Sequence, residues 1–276
     1  MINENVSMLY LAVGRTRIAL DLAPLGTAKR AATEARYGAF TAPGAAPDAV
    51  AVRPVVRDGR PFLPWDARSS LPLVTRRLGA RLLFVAPHEA GWLDLGTRQA
   101  RLLLRTQGTV ENFLRVVTAW SALERGGLLL HSCGVVRGGC AFVFFGASGT
   151  GKSTVAGLSR AWTVLSDDLV LIERGETGYV AGGVPFRGSA WDAPRTNLQA
   201  PLAGLYALCQ APEHALRPLA HPEATARLAA AAPFVTHCAT SAAAVLATCA
   251  ALAAQVPVAE LSFRRDATFW EAINGP

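Results

Sequence analysis

The sequence predicts a two-domain α/β protein, with a smaller β-rich (α+β) domain over residues 1–107 and an α/β domain over residues 108–276. Three observations lead to this prediction. Short strand-like runs fill the first part, an amphipathic helix opens the second part near residue 108, and longer apolar strands then flank a glycine-rich loop. A chain of 276 residues is long enough for two modest hydrophobic cores.

The first domain reads as a series of strands separated by turn residues. The predicted strands are 8–14, 16–22, 48–56, 80–87, 91–96 and 99–106. The stretch 39–48, with the sequence AFTAPGAAPD, predicts a loop because it combines glycine with two prolines. No residue pattern in this domain indicates chemistry.

The second domain begins with a predicted helix, because apolar residues from Val110 to Leu123 recur on one helical face and Gly126 and Gly127 end it. Apolar runs then predict strands at 128–136, 140–146, 162–173, 178–183 and 258–264. Pro222 and Glu223 favour the start of a helix. Residues 241–255 predict a buried helix, and Asp266 is expected to cap a final helix over 267–274.

Composition excludes several classes of protein. The 51% apolar and 17% charged content excludes a disordered chain. The net charge of +7 comes from dispersed arginines without a basic block, so no nucleic-acid partner is expected. Five scattered cysteines contain no CxxC pair, which indicates neither zinc nor a disulfide framework and favours a cytoplasmic setting.

No membrane association is expected either. The first residues lack the basic region of a secretory leader. The most apolar segment, 241–255, is shorter than the roughly 20 residues that a bilayer requires.

The segment GASGTGKST matches the P-loop pattern G-x4-GK[ST] at Gly146, Gly151, Lys152 and Ser153. The flanking context is the required one, with an apolar strand at 141–145 before the loop and a predicted helix at 152–160 after it. Glycines let successive backbone N–H groups point inward around phosphate oxygens. The predicted nucleotide site comprises Gly146, Ala147, Ser148, Gly149, Thr150, Gly151, Lys152, Ser153 and Thr154.

Within this loop, Lys152 is expected to contact the β and γ phosphates of ATP or GTP, and the Ser153 hydroxyl to bind Mg²⁺. Only one other lysine, Lys29, occurs in the chain. Where nearly every cation is arginine, a lysine in the loop indicates a role that a guanidinium cannot fill. The alternative, a glycine-rich turn that matches by chance, is disfavoured by the strand and helix on either side.

An acidic pair interrupts the apolar run 162–173, where Ser166 precedes Asp167 and Asp168. Adjacent carboxylates are costly to bury unless a charge such as Mg²⁺ pairs with them. Because successive residues of a strand face opposite sides, we expect one carboxylate near the metal and the other near an acceptor hydroxyl as a base. The residues alone do not say which is which, and a polar turn between two strands is the alternative interpretation.

His131 is a polar residue within the apolar strand 128–136, which precedes the P-loop strand. A single histidine in such a strand is commonly a core residue with satisfied hydrogen bonds. Near a phosphate site, its imidazole could instead orient a carboxylate and tune its basicity.

The order of LLLHSCGVV, GASGTGKST and LSDDLVLI resembles the core of the HPr kinase/phosphorylase catalytic domain, over residues 108–276. The resemblance implies an HPr-kinase-like P-loop fold. It also implies that Lys152 contacts the β and γ phosphates and that Ser153 and Asp168 serve the metal. Asp167 would be the base that deprotonates a serine, supported by His131.

The sequence departs from that family after the acidic pair. The family carries a Glu-Ile-Arg-Gly-Leu-Gly-type signature whose glutamate helps to hold magnesium, whereas here Arg187 and Gly188 of VPFRGSAW have no preceding glutamate. The first domain does not match the family's usual N-terminal domain. Shorter relatives are associated with the modification of ribosomally made peptides, so a peptide serine is the implied acceptor.

The predicted function is therefore an Mg²⁺- and ATP-dependent kinase that acts on a serine of a small protein or peptide, with a homo-oligomer possible. The missing glutamate motivates an alternative, a nucleotide-binding regulatory or partner protein with little turnover. Small-molecule phosphoryl chemistry, as in the ATP-dependent carboxykinases, is a third.

A switch GTPase is disfavoured, because no NKxD-like guanine reader occurs. Arg187 and Arg195 could steady a transferring phosphate or lie on the surface.

Overall fold

The computed structural model describes residues 7–66, 72–186, 195–236 and 241–274. The protein is of the predicted α/β class, and strands form most of its regular structure. It divides into two compact units, one formed by described residues up to Ser121 and the other by those from Ala122 onward.

This division falls inside a helix, α2 (Glu111–Glu124), whereas the sequence places the domain boundary before that helix, between residues 107 and 108. The first part of α2 packs on the first sheet, which explains the difference. The ring of Phe113 meets the ring of Phe84 edge-on, with the centroids 5.6 Å apart.

The first unit contains a seven-stranded mixed sheet and, besides the first part of α2, one helix. Its elements are β1 (Met8–Val13), β2 (Thr16–Asp21), α1 (Thr27–Tyr37), β3 (Val50–Val56), β4 (Val74–Leu78), β5 (Arg81–Ala86), β6 (Glu89–Asp94) and β7 (Gln99–Leu104). The strand order is β1-β2-β3-β7-β6-β5-β4, in which β2, β3 and β7 are parallel neighbours.

All of the strands predicted in this unit are present. The sequence does not predict α1, β4 or a short 3-10 helix at Gly38–Phe40, which overlaps the predicted loop 39–48. Helix α1 was missed because it buries only Thr33 and Tyr37 and so lacks an apolar face. Strand β4 was missed because it is an edge strand whose Val74 and Leu78 side chains are exposed.

In its described residues, the second unit contains an eight-stranded mixed sheet and four more helices. Its strands are β8 (Leu128–Arg137), β9 (Cys140–Phe145), β10 (Thr163–Ser166), β11 (Leu169–Arg174), β12 (Tyr179–Gly182), β13 (Gln199–Gln210), β14 (Ala215–Pro218) and β15 (Val258–Phe263). Its helices are α3 (Lys152–Leu158), α4 (His221–Ala230), α5 (Ala242–Gln255) and α6 (Phe269–Asn274).

Strand β13 is central to this sheet, since it pairs in parallel with both β9 and β15. The sequence does not predict it, because Pro201 and Gly204 interrupt its apolar run and both residues are unfavourable inside a strand. The other strands predicted for this domain are present. Helix α3 ends at Leu158, short of the predicted end at residue 160.

Aromatic rings pack the end of the chain against the parallel strands. Phe269 and Trp270 of α6 both meet the ring of Phe144 on β9 edge-on, and Phe269 also contacts Phe263 at the end of β15. This packing fixes the segment between β15 and α6 at the edge of the sheet where β9 ends.

Within the described ranges, no helix is both long and apolar enough to cross a membrane. Helix α5, predicted as a buried helix, is buried on one face only: Val245, Cys249 and Leu252 are buried, whereas Leu246 is exposed. The four cysteines in the described part of the chain are free thiols, and Cys238 lies outside it.

Candidate functional site

Three parallel strands end at one edge of the second sheet. Phe145 at the end of β9 lies opposite Ala207 of β13, and Gln210 at the end of β13 lies opposite Phe263 at the end of β15. The segments that follow β9, β13 and β15 therefore meet at this edge. The carboxyl ends of parallel strands are the usual position of ligand sites in α/β sheets.

The segment after β9 is the glycine-rich loop, and its backbone requires glycine. Gly146 and Gly151 have φ angles of +156° and +112°. A Cβ at Gly151 would lie 2.6 Å from the ring of Phe263, and one at Gly146 would lie 2.8 Å from Thr150 Oγ1. Both positions thus need the absence of a side chain as well as the unusual backbone angle.

The ammonium group of Lys152 folds back over this loop. Its Nζ donates hydrogen bonds to the carbonyl oxygens of Gly146 at 2.8 Å and Ala147 at 2.9 Å. The residue is buried, and burial lowers the pKa of Lys152, while the charge of Asp168 opposes that shift. The ammonium is thereby held against the start of the loop, where the nearby carboxylate of Asp168 favours its charged form.

The acidic pair lies at a bend. The run predicted as one interrupted strand forms β10 and β11, which follow one another along β8, with Ser166 opposite Gly134 and Leu169 opposite His131. The Ser166 hydroxyl oxygen accepts the backbone N–H groups of Asp168 and Leu169, both at 3.2 Å, and so stabilises the bend.

This bend changes one expectation from the sequence. The alternation of a regular strand would send Asp167 and Asp168 to opposite faces, but both line the same cavity. The prediction of opposite faces was wrong because the chain leaves regular strand geometry at these two residues, as the polar-turn alternative supposed.

The two carboxylates nevertheless differ in their surroundings. Asp167 is buried, and its charge adds to the effect of burial in raising the pKa of the Cys133 thiol. The Asp168 side chain is 21% exposed, and its Oδ1 lies 3.5 Å from His131 Nε2. The resemblance assigns His131 to the support of Asp167, whereas the structure brings the imidazole to Asp168.

His131 is itself fixed from the backbone. Its N–H donates to the carbonyl oxygen of Ala231, just after α4, at 2.8 Å. The next residue, Ser132, donates its N–H to the carbonyl oxygen of Asp168 at 2.9 Å. These hydrogen bonds fix the position of His131 relative to Asp168 in the acidic bend.

These groups surround an open cavity of about 270 Å³. Its lining comprises His131, Ser148, Gly149, Gly151, Lys152, Ser153, Thr154, Asp167, Asp168, Gln210 and Arg265. All residues predicted as catalytic or metal-binding therefore line it, together with most of the predicted nucleotide loop. Gly146, Ala147 and Thr150 are not in the lining, and the first two instead give their carbonyl oxygens to Lys152.

Sequence reasoning missed two residues of this lining. The Gln210 side chain donates from Nε2 to the carbonyl oxygen of Gly149 at 2.7 Å and so supports the loop. Arg265 adds a second cation to the cavity. Gln210 ends β13, which pairs with β9, and Arg265 follows β15, which pairs with the other side of β13. This order of strands in the sheet is the signal that a single sequence does not provide.

The segment that carries Arg265 is held by Asp266. This carboxylate contacts His214 Nε2 at 2.9 Å, accepts the Thr268 N–H at 3.0 Å just ahead of α6, and accepts a hydrogen bond from Arg264. Hydrogen bonds from Thr268, His214 and Arg264 keep the pKa of Asp266 well below its usual range. The final helix begins at Phe269, two residues later than predicted, and Asp266 holds the turn just ahead of it.

Arg187 and Gly188 lie outside the described residues. Of the two arginines singled out in the sequence, Arg195 is described but does not belong to the cavity lining, where Arg265 is found instead. In the described ranges, no group of three or more histidine, cysteine, aspartate or glutamate side chains could hold a metal ion. Mg²⁺ does not need such a group, because it commonly takes one or two protein ligands, substrate phosphates and waters.

Comparison with known proteins gives one finding on family. A family model described as SynChlorMet cassette protein ScmC matches residues 108–275, the range that begins where the sequence predicts the second domain. No curated protein matches the chain. Since the matched range covers more than half of the chain and contains the whole cavity lining, the chain belongs to the ScmC family.

Proposed function

We propose that the protein is an Mg²⁺- and ATP-dependent kinase that transfers the γ-phosphoryl group of ATP to a serine hydroxyl of a small protein or peptide. One observation carries this proposal: a buried lysine in a glycine loop and two adjacent carboxylates line a single cavity. We further propose that the second unit has the P-loop fold of the HPr kinase catalytic domain, on the basis of the order β8, β9, glycine loop and acidic bend.

In this proposal, the loop from Gly146 to Thr154 holds the phosphates through its backbone N–H groups. Lys152 turns its ammonium from the carbonyl oxygens of the loop to the β and γ phosphates. Ser153 and Asp168 would hold Mg²⁺, which supplies charge neutralisation at the phosphates when bound. The imidazole of His131 orients the Asp168 carboxylate at 3.5 Å.

Asp167 acts as the base. Its carboxylate takes the proton from the serine hydroxyl as the serine oxygen forms a bond to the γ-phosphorus. The bond between the γ-phosphorus and the β–γ bridging oxygen breaks, and ADP leaves with that electron pair. Arg265, the other cation of the cavity, is positioned to stabilise charge on the transferring group.

The base assignment is tested by Asp167→Asn, which keeps the shape of the side chain but cannot accept the proton. We expect ATP turnover to fall about 100-fold or more, since general base catalysis contributes 10²–10⁴-fold. Asp168→Asn is the matched comparison, and we expect it to raise the concentration of Mg²⁺ needed for turnover, because it removes a ligand of the metal. Turnover that survives Asp167→Asn would show that Asp167 is not the base.

A nucleotide-binding regulatory or partner protein is the second candidate. The absence of a glutamate from the segment Gly183–Phe186 ahead of Arg187 favours it, because that carboxylate helps to hold magnesium in the kinases that the sequence resembles. Tight binding of ATP without hydrolysis or transfer would favour this function over the kinase.

A further inference from the structure

A second cavity, of about 320 Å³, touches the same glycine loop. It is bounded by Gly146 and Ala147 at the start of the loop, by Ala230 and Ala231 at the end of α4, and by His131, which also lines the first cavity. Phe145, Ala207 and Leu208 of β9 and β13 complete its apolar part. Of the residues predicted for the site, only Gly146, Ala147 and His131 line this second cavity.

The second cavity borders the start of the glycine loop, beside the ammonium of Lys152. In a P-loop, the lysine ammonium marks the β and γ phosphates. Here the ammonium of Lys152 contacts the carbonyl oxygens of Gly146 and Ala147, and these two residues bound the second cavity. An acceptor must approach the γ-phosphate from the side opposite to the leaving ADP. The second cavity borders the loop and shares His131 with the first cavity, so it offers space for the chain that carries the acceptor.

The walls of the cavity favour an uncharged side chain. Among the lining residues that the structure describes, the one ionisable residue apart from His131 is Arg227, whose guanidinium is already paired. Arg227 Nη1 lies 2.7 Å from Glu260 Oε2, and Nη2 lies 2.7 Å from Glu223 Oε1. Both carboxylates also pair with Arg217, so the two arginines and two glutamates form a cluster without net charge. An acidic ligand would therefore gain little attraction and would lose its hydration.

We propose that the second cavity binds an apolar side chain adjacent to the acceptor serine of a peptide substrate. A cavity of this volume is at the small end of the range for ligand pockets, roughly 300–1,000 Å³, which suits one side chain. His131 forms the boundary between the bound side chain and the acidic bend. This inference rests on the proposed kinase function and specifies its substrate.

The test uses the full chain with ¹³C-labelled alanine methyl groups, because Ala207 and Ala230 report directly on the cavity. The protein is first saturated with Mg²⁺ and the non-hydrolysable ATP analogue AMP-PNP. It is then titrated with N-acetyl-Ser-Leu-amide and N-acetyl-Leu-Ser-amide, and in parallel with the same dipeptides in which Asp replaces Leu. We expect a leucine dipeptide to shift both methyl signals with an affinity roughly tenfold or more above its aspartate counterpart.

Ala230→Phe should fill the cavity from an exposed position of α4 and weaken binding of the leucine dipeptide about tenfold or more. Ala226→Phe is the matched control, since Ala226 is exposed on the same helix outside the cavity lining, and it should leave binding unchanged. The comparison of dipeptides on the unmodified protein does not depend on either variant.

Three results would overturn the inference. They are equal affinity for the leucine and aspartate dipeptides, an absence of shifts at Ala207 and Ala230, and a shift of the Ala230 methyl by AMP-PNP alone, which would place the nucleoside in the cavity. Failure of AMP-PNP to bind at all is a separate result, which contradicts the proposed kinase function and not the preference of the cavity.

Discussion

Lys152 is the lysine of the glycine loop and, in the proposed function, the residue that contacts the phosphates. The chain has only one other lysine, Lys29, and each of the two donates to a pair of backbone carbonyl oxygens. The similar hydrogen bonding provides a matched comparison between a lysine at the proposed site and a lysine away from it.

Lys152→Arg should reduce affinity for Mg²⁺-ATP by about tenfold or more, because a planar guanidinium cannot replace a compact ammonium inside the loop. Lys29→Arg should leave that affinity unchanged. Binding can be measured by fluorescence titration with a labelled ATP analogue. If both variants bind as tightly as the natural protein, Lys152 does not contact the phosphates.

Glu89 of the first unit is a buried carboxylate in an unfavourable environment. Its Oε1 accepts hydrogen bonds from Thr109 and Asn112, while its Oε2 has no hydrogen-bond partner within the described residues. Burial raises the pKa of Glu89 to about 7 from its ordinary value of 4.5.

Because the folded pKa is raised, the folded state binds the Glu89 proton more tightly than the unfolded state does. The free energy of unfolding should therefore fall as pH rises from about 4.5 to about 7, by on the order of 3 kcal/mol, and then level off. Urea unfolding at about pH 5 and about pH 8 should show a smaller difference for Glu89→Gln than for the natural chain. Asp48→Asn, at an exposed carboxylate, is the control. An unchanged pH dependence in Glu89→Gln would exclude Glu89 as its source.

At the scale of elements, the glycine loop and α3 depend on two different kinds of glycine. Gly151 begins the helix at φ +112° with the ring of Phe263 against it, whereas Gly157 lies within α3 with open space around the position of a Cβ. The same substitution should thus have opposite effects at the two positions.

Gly151→Ala should destabilise the protein by about 1–3 kcal/mol and weaken nucleotide binding, because it strains the backbone and displaces Phe263. Gly157→Ala should stabilise it by about 0.5–1 kcal/mol, because alanine restricts the unfolded chain more than glycine does. Chemical denaturation of both variants measures the two effects. Destabilisation of equal size at both positions would argue against a special conformation at Gly151.

At this scale, the sequence predicts the features that depend on residues close together in the chain. The loop, its flanking strand and helix, and the strands with clear apolar runs are correctly predicted because neighbouring residues determine them. Strand β13 was missed because Pro201 and Gly204 obscure its pattern. Gln210 and Arg265 were missed because their place in the cavity depends on which strands are neighbours, and that is set by packing far apart in the sequence.

The pairing of His131 with Asp168 has the same origin. The sequence places both residues on apolar strands, but the register of β11 against β8 decides which aspartate meets the imidazole. The bend between β10 and β11, which the Ser166 hydroxyl stabilises, brings both aspartates to one cavity.

At the scale of the whole molecule, a ligand that binds only the folded state must raise the apparent stability of the chain. At a free concentration of Mg²⁺-ATP about 100 times its dissociation constant, the gain should be about 2.7 kcal/mol. Thermal unfolding should show this as a higher midpoint, and chelation of Mg²⁺ with EDTA should remove most of it. If the unfolding midpoint with ATP is the same with and without Mg²⁺, Mg²⁺ is not part of the nucleotide site.

The most direct test of the account is a calorimetric titration of the full chain with AMP-PNP in the presence of Mg²⁺, repeated with Lys152→Met. We predict one nucleotide bound per chain, and loss of that binding when the ammonium is removed. Binding that is absent from the natural chain, or that persists unchanged in Lys152→Met, would contradict the claim that the glycine loop holds a triphosphate.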